Sequence, residues 1–424
     1  MKIKMKRVSV DYALQTTPPE KGKLKKPSLL WNTLIRILSA PTMWKTKFTC
    51  TKKRMESAKG PCLILMNHSC FVDMKILSKI FYPKRYFIVG TTDSLVGKKW
   101  LMKKIGILPT QKFIADATLP RDIARAVHDL KTSVVVYPEA GYSFDGRTTA
   151  LPPSLGALVK KLGVPLVTVI TDGAFLRQPL YNNLHIRKTK ISAEVECLLT
   201  PEEAKEKSVQ EINEMIAEKF SFNAFKAQAE RKTQINEPTR AEGLHRILYR
   251  CPACQKEGEM VGENDTLSCK ACGKTYKMDE YGKLCATDGK TEYPSIPDWF
   301  DYERECVRRE IEAGEYKLDL PVEISVLSDC KALYQIGAGR LVHDQNGFVL
   351  TAQDGRVLFT QSPLASYSLN ADFNWYEIGD VIAIGDKKRL FYCFPQTEKD
   401  VVTKARFATE ELYKICKAEL KQSK

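Results

Sequence analysis

The chain has 424 residues, 43% of them hydrophobic and 28% charged, with thirteen cysteines and a formal net charge of +15. A chain of this length exceeds one ordinary core and predicts two or three domains. No uninterrupted apolar run approaches the ~18 residues of a spanning helix, which excludes an integral membrane span, and the size excludes a small disulfide scaffold. The charge is uneven: residues 1–120 hold 24 Lys/Arg against six Asp/Glu, net +18, and the other 304 residues sum to −3. A basic region of this kind suits an anionic partner, phospholipid or nucleic acid.

Residues 1–44 read as a basic amphipathic segment at a membrane surface. Met1–Arg7 is basic but no apolar core follows it, so no export signal is expected. Pro27–Leu38 clusters apolar residues around Trp31 at helical spacing, with basic residues on both flanks, and Leu95–Gly106 mixes Trp100, Leu101 and Met102 with four lysines. Both fit interfacial segments whose apolar side enters the acyl boundary while lysines meet anionic headgroups. The competing reading is an ordinary amphipathic helix packed on its own domain. A cytoplasmic protein, peripheral on the inner face of a membrane, is the expectation.

Next in the chain comes the apolar run Pro61–Met66, followed by Asn67-His68-Ser69-Cys70-Phe71-Val72-Asp73. A histidine can deprotonate a hydroxyl near neutral pH, and a carboxylate on its far nitrogen fixes the tautomer and stabilises the imidazolium. Five residues along a regular helix turn side chains roughly 140° apart. The pair can therefore meet only if His68 lies in the turn after a strand and Asp73 in the first turn of the next helix; otherwise this is an exposed His beside a capping acid. Val134–Val136 is a second buried strand, ending in Tyr137-Pro138-Glu139-Ala140-Gly141, which places Glu139 at the carboxyl end where open α/β sheets hold their sites. Gly163–Ile170 reads as a third strand after a helix near Leu155–Leu162.

Asn-His-x4-Asp, then aromatic-Pro-Glu some seventy residues on, then Val164-Pro165-Leu166-Val167, together resemble the glycerolipid acyltransferases, specifically the 1-acylglycerol-3-phosphate (lysophosphatidate) acyltransferase family. The resemblance covers roughly residues 45–220. It implies an α/β acyltransferase domain, a mixed sheet flanked by helices, that moves an acyl chain from a thioester of coenzyme A or acyl-carrier protein to the hydroxyl of a lysophospholipid. His68 would be the general base and Asp73 its orienting partner. Asn67, Glu139 and Gly141 would contact the acceptor, and Lys112 would hold its phosphate, although Arg is usual there and Lys lacks the bidentate fork. No acyl-enzyme and no catalytic cofactor are implied, so Cys70 reads as a packing residue. The Arg expected after Pro-Glu is replaced by Tyr142. Arg147 either reaches back to supply that charge or is a solvated loop residue. The departure opens a second reading, a non-phosphate lysolipid or glycolipid acceptor, and a third, a non-catalytic scaffold that binds lipid or protein.

The remaining chain divides into a linker (229–246), a zinc ribbon (247–290) and a β-rich domain (291–424). Cys251-x2-Cys254 and Cys269-x2-Cys272, fourteen residues apart, form two knuckles able to surround one tetrahedral metal. Zinc is favoured, though a rubredoxin-like iron site uses the same ligands. Four protein ligands leave no open position, so the ion would be structural. Residues 251–276 hold three Lys/Arg and four Asp/Glu, too little positive charge for a nucleic-acid partner. Beyond it, 297–314 reads as an acidic amphipathic helix. Short β-rich runs follow at 322–326, 347–351, 356–360, 381–384 and 390–394, with Asp354-Gly355 as a hairpin turn, and a closing helix spans about 400–421. About seven short strands and a terminal helix are similar to a pleckstrin-homology-like barrel.

Overall fold

The computed structural model describes residues 3–19, 22–114, 116–397 and 399–422; Met1 and Lys2, the start of the stretch read for an export signal, lie outside them. Among the described residues the strands form three sheets. Of the first elements, β1 (Met5–Arg7) and α1 (Val10–Gln15), β1 pairs in parallel with a strand more than 300 residues away. Within the segment read over 1–44, residues 5–7 are thus a strand of the carboxy-terminal sheet. The physical cause is an edge of that sheet whose N–H and C=O groups β1 satisfies.

The second helix, α2 (Leu29–Lys45), leads into the first sheet, which comprises β2 (Thr49–Lys53), β3 (Leu63–Met66), β4 (Tyr86–Thr91), β5 (Ile107–Thr110), β6 (Ser133–Val136), β7 (Leu166–Asp172) and β8 (Ser192–Leu199). Its order is β2-β8-β7-β3-β6-β4-β5, with β7 and β8 antiparallel and the other neighbours parallel, hence a mixed sheet. Helices α3 (Asp73–Phe81), α4 (Lys99–Ile105), α5 (Thr118–His128), α6 (Leu155–Leu162), α7 (Ala174–Arg177), α8 (Pro201–Glu206), α9 (Val209–Phe220) and α10 (Ala224–Glu230) accompany it. The alternation along β3 explains the layering. Leu63 and Leu65 pack with Ile123 of α5, Val159 of α6 and Ile212 of α9, while Ile64 and Met66 pack with Met43 of α2 and Ile76 and Leu77 of α3. A strand buried on both faces must be apolar throughout, and β3 is.

Within the stretch read as a linker, Ile235, Ala241 and Leu244 are buried. The four-cysteine module is an antiparallel sheet of β9 (Met260–Glu263), β10 (Thr266–Cys269), β11 (Thr275–Met278) and β12 (Leu284–Ala286). Helix α11 (Ile296–Glu312) follows, then β13 (Leu318–Leu327), β14 (Leu333–Asp344), β15 (Gly347–Ala352), β16 (Val357–Gln361), β17 (Asn370–Trp375), β18 (Gly379–Gly385), β19 (Leu390–Pro395) and the closing α12 (Val402–Gln422). Their order is β16-β15-β14-β13-β19-β18-β17, with β1 added beside the first half of β14, and β16 comes back against β18. One apolar cluster runs without a break from Tyr181 through the four-cysteine sheet and Trp299 to Phe391 and Phe407. The carboxy-terminal units therefore share a core with the loops at the end of the first sheet.

Candidate active site and metal centre

His68 sits between β3 and α3, and Asp73 is the first residue of α3. His68 Nδ1 lies 2.9 Å from Asp73 Oδ2, which also accepts from the backbone N–H of Ser69 at 3.0 Å and of Cys70 at 3.4 Å. The carboxylate thus folds the turn and orients the imidazole at once. Tying Nδ1 to the acid leaves Nε2 as the ring nitrogen that can take a proton. The ring lies between two tyrosines: Tyr137 is stacked at 4.1 Å and Tyr142 is tilted at 4.3 Å. Exposed Phe71 meets the edge of Tyr142 at 5.7 Å. Burial, followed by the charge of Asp73, pushes both phenols well above their usual range, so both are neutral.

Two residues expected to touch substrate have hydrogen bonds to backbone. Asn67 accepts from Thr171 N (2.8 Å) and Oγ1 (3.0 Å) and donates to Thr171 O (3.1 Å), lacing the end of β3 to β7 with its whole amide. Glu139 is buried and accepts from His68 N at 2.6 Å and Thr149 N at 3.1 Å, one oxygen each. Its carboxyl is pushed up to about 7 by burial, against the lowering effect of those two amides. Ala140 turns the chain with φ +56°, a left-handed conformation that costs a residue with a Cβ of order 1 kcal/mol. Gly141 borders open space. Cys70 is buried with Sγ 3.2 Å from Ala174 O, and burial followed by Asp73 pushes its thiol well up. That is the reverse of what a nucleophile needs.

Arg147 and Lys112, the two residues read for a phosphate, have different surroundings. Arg147 donates Nη1 and Nη2 to Asp301 of α11 at 2.7 and 2.6 Å and Nε to Asp145. Neither reading made for it describes this fork, which is spent on two carboxylates. Lys112 opens on a separate cavity against the carboxy-terminal sheet. The sequence offered no sign that this sheet approaches the site, yet Phe373 of β17 packs on Phe144 at 4.7 Å and the Arg406 guanidinium of α12 lies 4.4 Å over the Phe144 ring. Those partners lie more than 200 residues apart, and nothing in local patterning announces such contacts. Arg177 drew no reading from the sequence. It is buried at the end of α7, donates to Arg187 O at 3.0 Å and has no carboxylate partner among the described residues.

Cys251, Cys254, Cys269 and Cys272 bring their sulfurs within 4.8 Å of one another, with Cys251–Cys272 and Cys254–Cys269 at 3.7 Å. A tetrahedral ion with metal–sulfur bonds of ~2.3 Å has sulfur–sulfur edges of ~3.8 Å, so the set fits one metal. The two knuckles are built alike: Gln255 N donates to Cys251 O at 2.8 Å and Gly273 N to Cys269 O at 2.9 Å, each turn closing around its pair.

With this geometry, residues 47–172 match the family described as Acyltransferase, and that span is an acyltransferase domain. Among solved structures the chain is similar to the 1-acyl-sn-glycerophosphate (LPA) acyltransferase PlsC of Thermotoga maritima. The identity is 14% and the TM-score 0.34, over 45% of this chain and 81% of the other. No curated protein sequence matches the chain.

Proposed function

We propose that the protein transfers an acyl chain from a thioester donor to the free hydroxyl of a lysophospholipid held at a membrane surface. The observation that carries this is the His68–Asp73 pair at 2.9 Å at the carboxyl end of β3, inside an acyltransferase domain. The acceptor O–H gives its proton to His68 Nε2 as its oxygen attacks the thioester carbonyl. Collapse of the tetrahedral intermediate expels the thiolate, which takes the proton back from the imidazolium, and Asp73 stabilises that cation throughout. These steps balance without a catalytic cofactor. Zinc at the four cysteines would brace the fold.

Helix α2 supports the membrane part of the reading. It turns Asn32, Ser39 and Met43 toward the protein and leaves Leu30 (76% exposed), Ile37 (62%), Leu38 (66%) and Trp44 (82%) on its outer side. A helix with its apolar stripe outward needs an apolar partner. Exposed Trp100, Phe71 and Met74 extend that surface toward His68, and Trp100 meets Trp31 at 5.9 Å. No described helix is long and apolar enough to cross a membrane, so α2 would lie in the interface, which suits a peripheral enzyme on the cytoplasmic face. The carboxy-terminal meander closed by α12 supports a pleckstrin-homology-like module.

The first acceptor to consider is 1-acylglycerol-3-phosphate, giving phosphatidic acid. A second reading, a lysolipid or glycolipid without a terminal phosphate, is favoured by the capture of Arg147 by Asp145 and Asp301 and by Tyr142 over the imidazole. The test is His68→Ala with a thioester donor and a panel of phosphorylated and neutral lysolipids. Activity should fall by about 10²–10⁴-fold on every acceptor, the usual worth of a general base, with metal content and vesicle binding kept. A fully active variant would sink the mechanism, and the acceptor ranking in the unaltered enzyme decides between the two lipids.

A further inference from the structure

A cavity of about 390 Å³ opens between the loop after β5 and the carboxy-terminal sheet. One wall is Lys112, Phe113 and Ile114; the other is built from β17, β18 and the turn into β19. Its floor is apolar, with Leu369, Ala383, Ile384 and Leu390, and its rim carries Lys112, Lys387 and Lys388. None of these lysines has an ion pair among the described residues. Asp386, also on the lining, accepts through Oδ1 from Lys388 N at 2.8 Å and Arg389 N at 3.0 Å. The cavity volume is in the range of small-molecule sites. The strand β17 that lines it also packs on the loop after Glu139, where Phe373 meets Phe144 at 4.7 Å. Asn370 lines it, and Asp372, one strand repeat of about 7 Å further along β17, is within electrostatic reach of both Lys112 and Tyr142.

We infer that this cavity holds the nucleotide end of an acyl-coenzyme A donor, with the purine on the apolar floor and the phosphates on the three rim lysines. The inference rests on the acyl-transfer reading and names its donor. A recessed apolar slot with a cationic rim suits a flat heterocycle bearing phosphates. An acidic carrier protein would instead need a broad basic surface. The pantetheine arm would then run along β17 toward Tyr142 and His68.

The site is tested by calorimetric titration of coenzyme A into the full chain carrying His68→Ala, which cannot turn over, with and without Lys387→Ala/Lys388→Ala. The two exposed lysine changes should raise the dissociation constant about tenfold. Dephospho-coenzyme A, lacking the 3′-phosphate, should bind less tightly than coenzyme A and respond less to the double change. In the active enzyme the KM for acyl-coenzyme A should rise by a similar factor while the KM for the lysolipid stays. Unchanged coenzyme A affinity overturns the site. So does a rise confined to the lysolipid KM, which would make this a headgroup pocket, and so does an effect seen only with an acyl-carrier-protein donor. Lysine-dependent coenzyme A binding without acyl transfer to any lysolipid would leave the site standing and remove the proposed acceptor. Transfer from acyl-coenzyme A that ignores both lysines would remove the site alone.

Discussion

Glu139 holds two backbone N–H groups with one buried carboxylate, so the loop bearing His68 and the loop bearing Thr149 are fixed by the same side chain. Glu139→Gln keeps one acceptor oxygen and turns an NH2 toward the other amide. Below about pH 4.5, where both side chains are neutral, the loss of one hydrogen bond should cost about 0.5–1.5 kcal/mol. A pH signature goes with it. Burial raises this carboxyl from an ordinary 4.5 to about 7, so the folded protein holds the proton more tightly than the unfolded one. The group's contribution to stability is complete below about pH 4.5 and is lost as pH rises through about 7. Melting temperature against pH for the wild type and Glu139→Gln should therefore converge toward pH 7. Parallel curves would mean that another group carries the slope. At this scale the sequence told part of the story: motif spacing placed His68 and Asp73 in the turn and helix where they meet. It did not reveal that Asn67 and Glu139 spend their polar atoms on backbone, because a motif specifies residue types and not their hydrogen-bond partners.

For helix α2 the same limit takes another form. The spacing of apolar residues around Trp31 predicted a helix, and α2 spans Leu29–Lys45. Periodicity gives a face but not what the face meets, and here small polar residues line the protein side. Replacing Ile37 and Leu38 by Asp should abolish sedimentation with anionic vesicles, since burying each such side chain is worth roughly 1.5–3 kcal/mol. The melting temperature in solution should stay within a degree or two, because both residues are exposed. A large drop in melting temperature, or vesicle binding that persists, would show that this face has another role. Among the strands, β13, β15, β16, β18 and β19 were legible from β-branched and aromatic runs, and Gly355 at φ +84° closes the hairpin read from Asp354-Gly355. The strands β14 and β17 were not. Gly337, at φ +101°, and Gly339 interrupt the first, and Asn370, Asp372 and Asn374 give the second a composition that disfavours strands.

Across the whole molecule, the four-cysteine sheet and the loops at the end of the first sheet pack into one apolar cluster. Trp299 of α11 packs on Tyr276 at 4.9 Å and donates Nε1 to Arg250 O at 3.0 Å, while Arg147 reaches the same helix from the loop after Glu139. Glu410 of α12 adds a buried knot. Burial works against its charge, but Arg406 and Arg304 hold it down to about 2, and it accepts from Ser368 Oγ at 2.6 Å. Elemental analysis should find one metal ion per chain, lost in Cys254→Ser. Metal loss should lower a single melting transition that includes the acyltransferase domain, because binding energy at such a site is folding energy. Two separate transitions, with only the minor one metal-dependent, would contradict this coupling.

The pairing of Met5↔Leu333, Lys6↔Tyr334 and Arg7↔Gln335 has a consequence for the order of events. Strand β1 leaves the ribosome more than 300 residues ahead of the strand it pairs with. Until that partner follows, the acyltransferase sheet can form while β1 hangs free, so closure of this clasp is a late, long-range step. Once closed, it ties the segment before α2 to the carboxy-terminal sheet. A cut between residues 16 and 28 should then leave the first strand attached, and a rearranged chain that begins near α2 and carries residues 3–16 after α12 would test whether the clasp needs the native connection or only the contact.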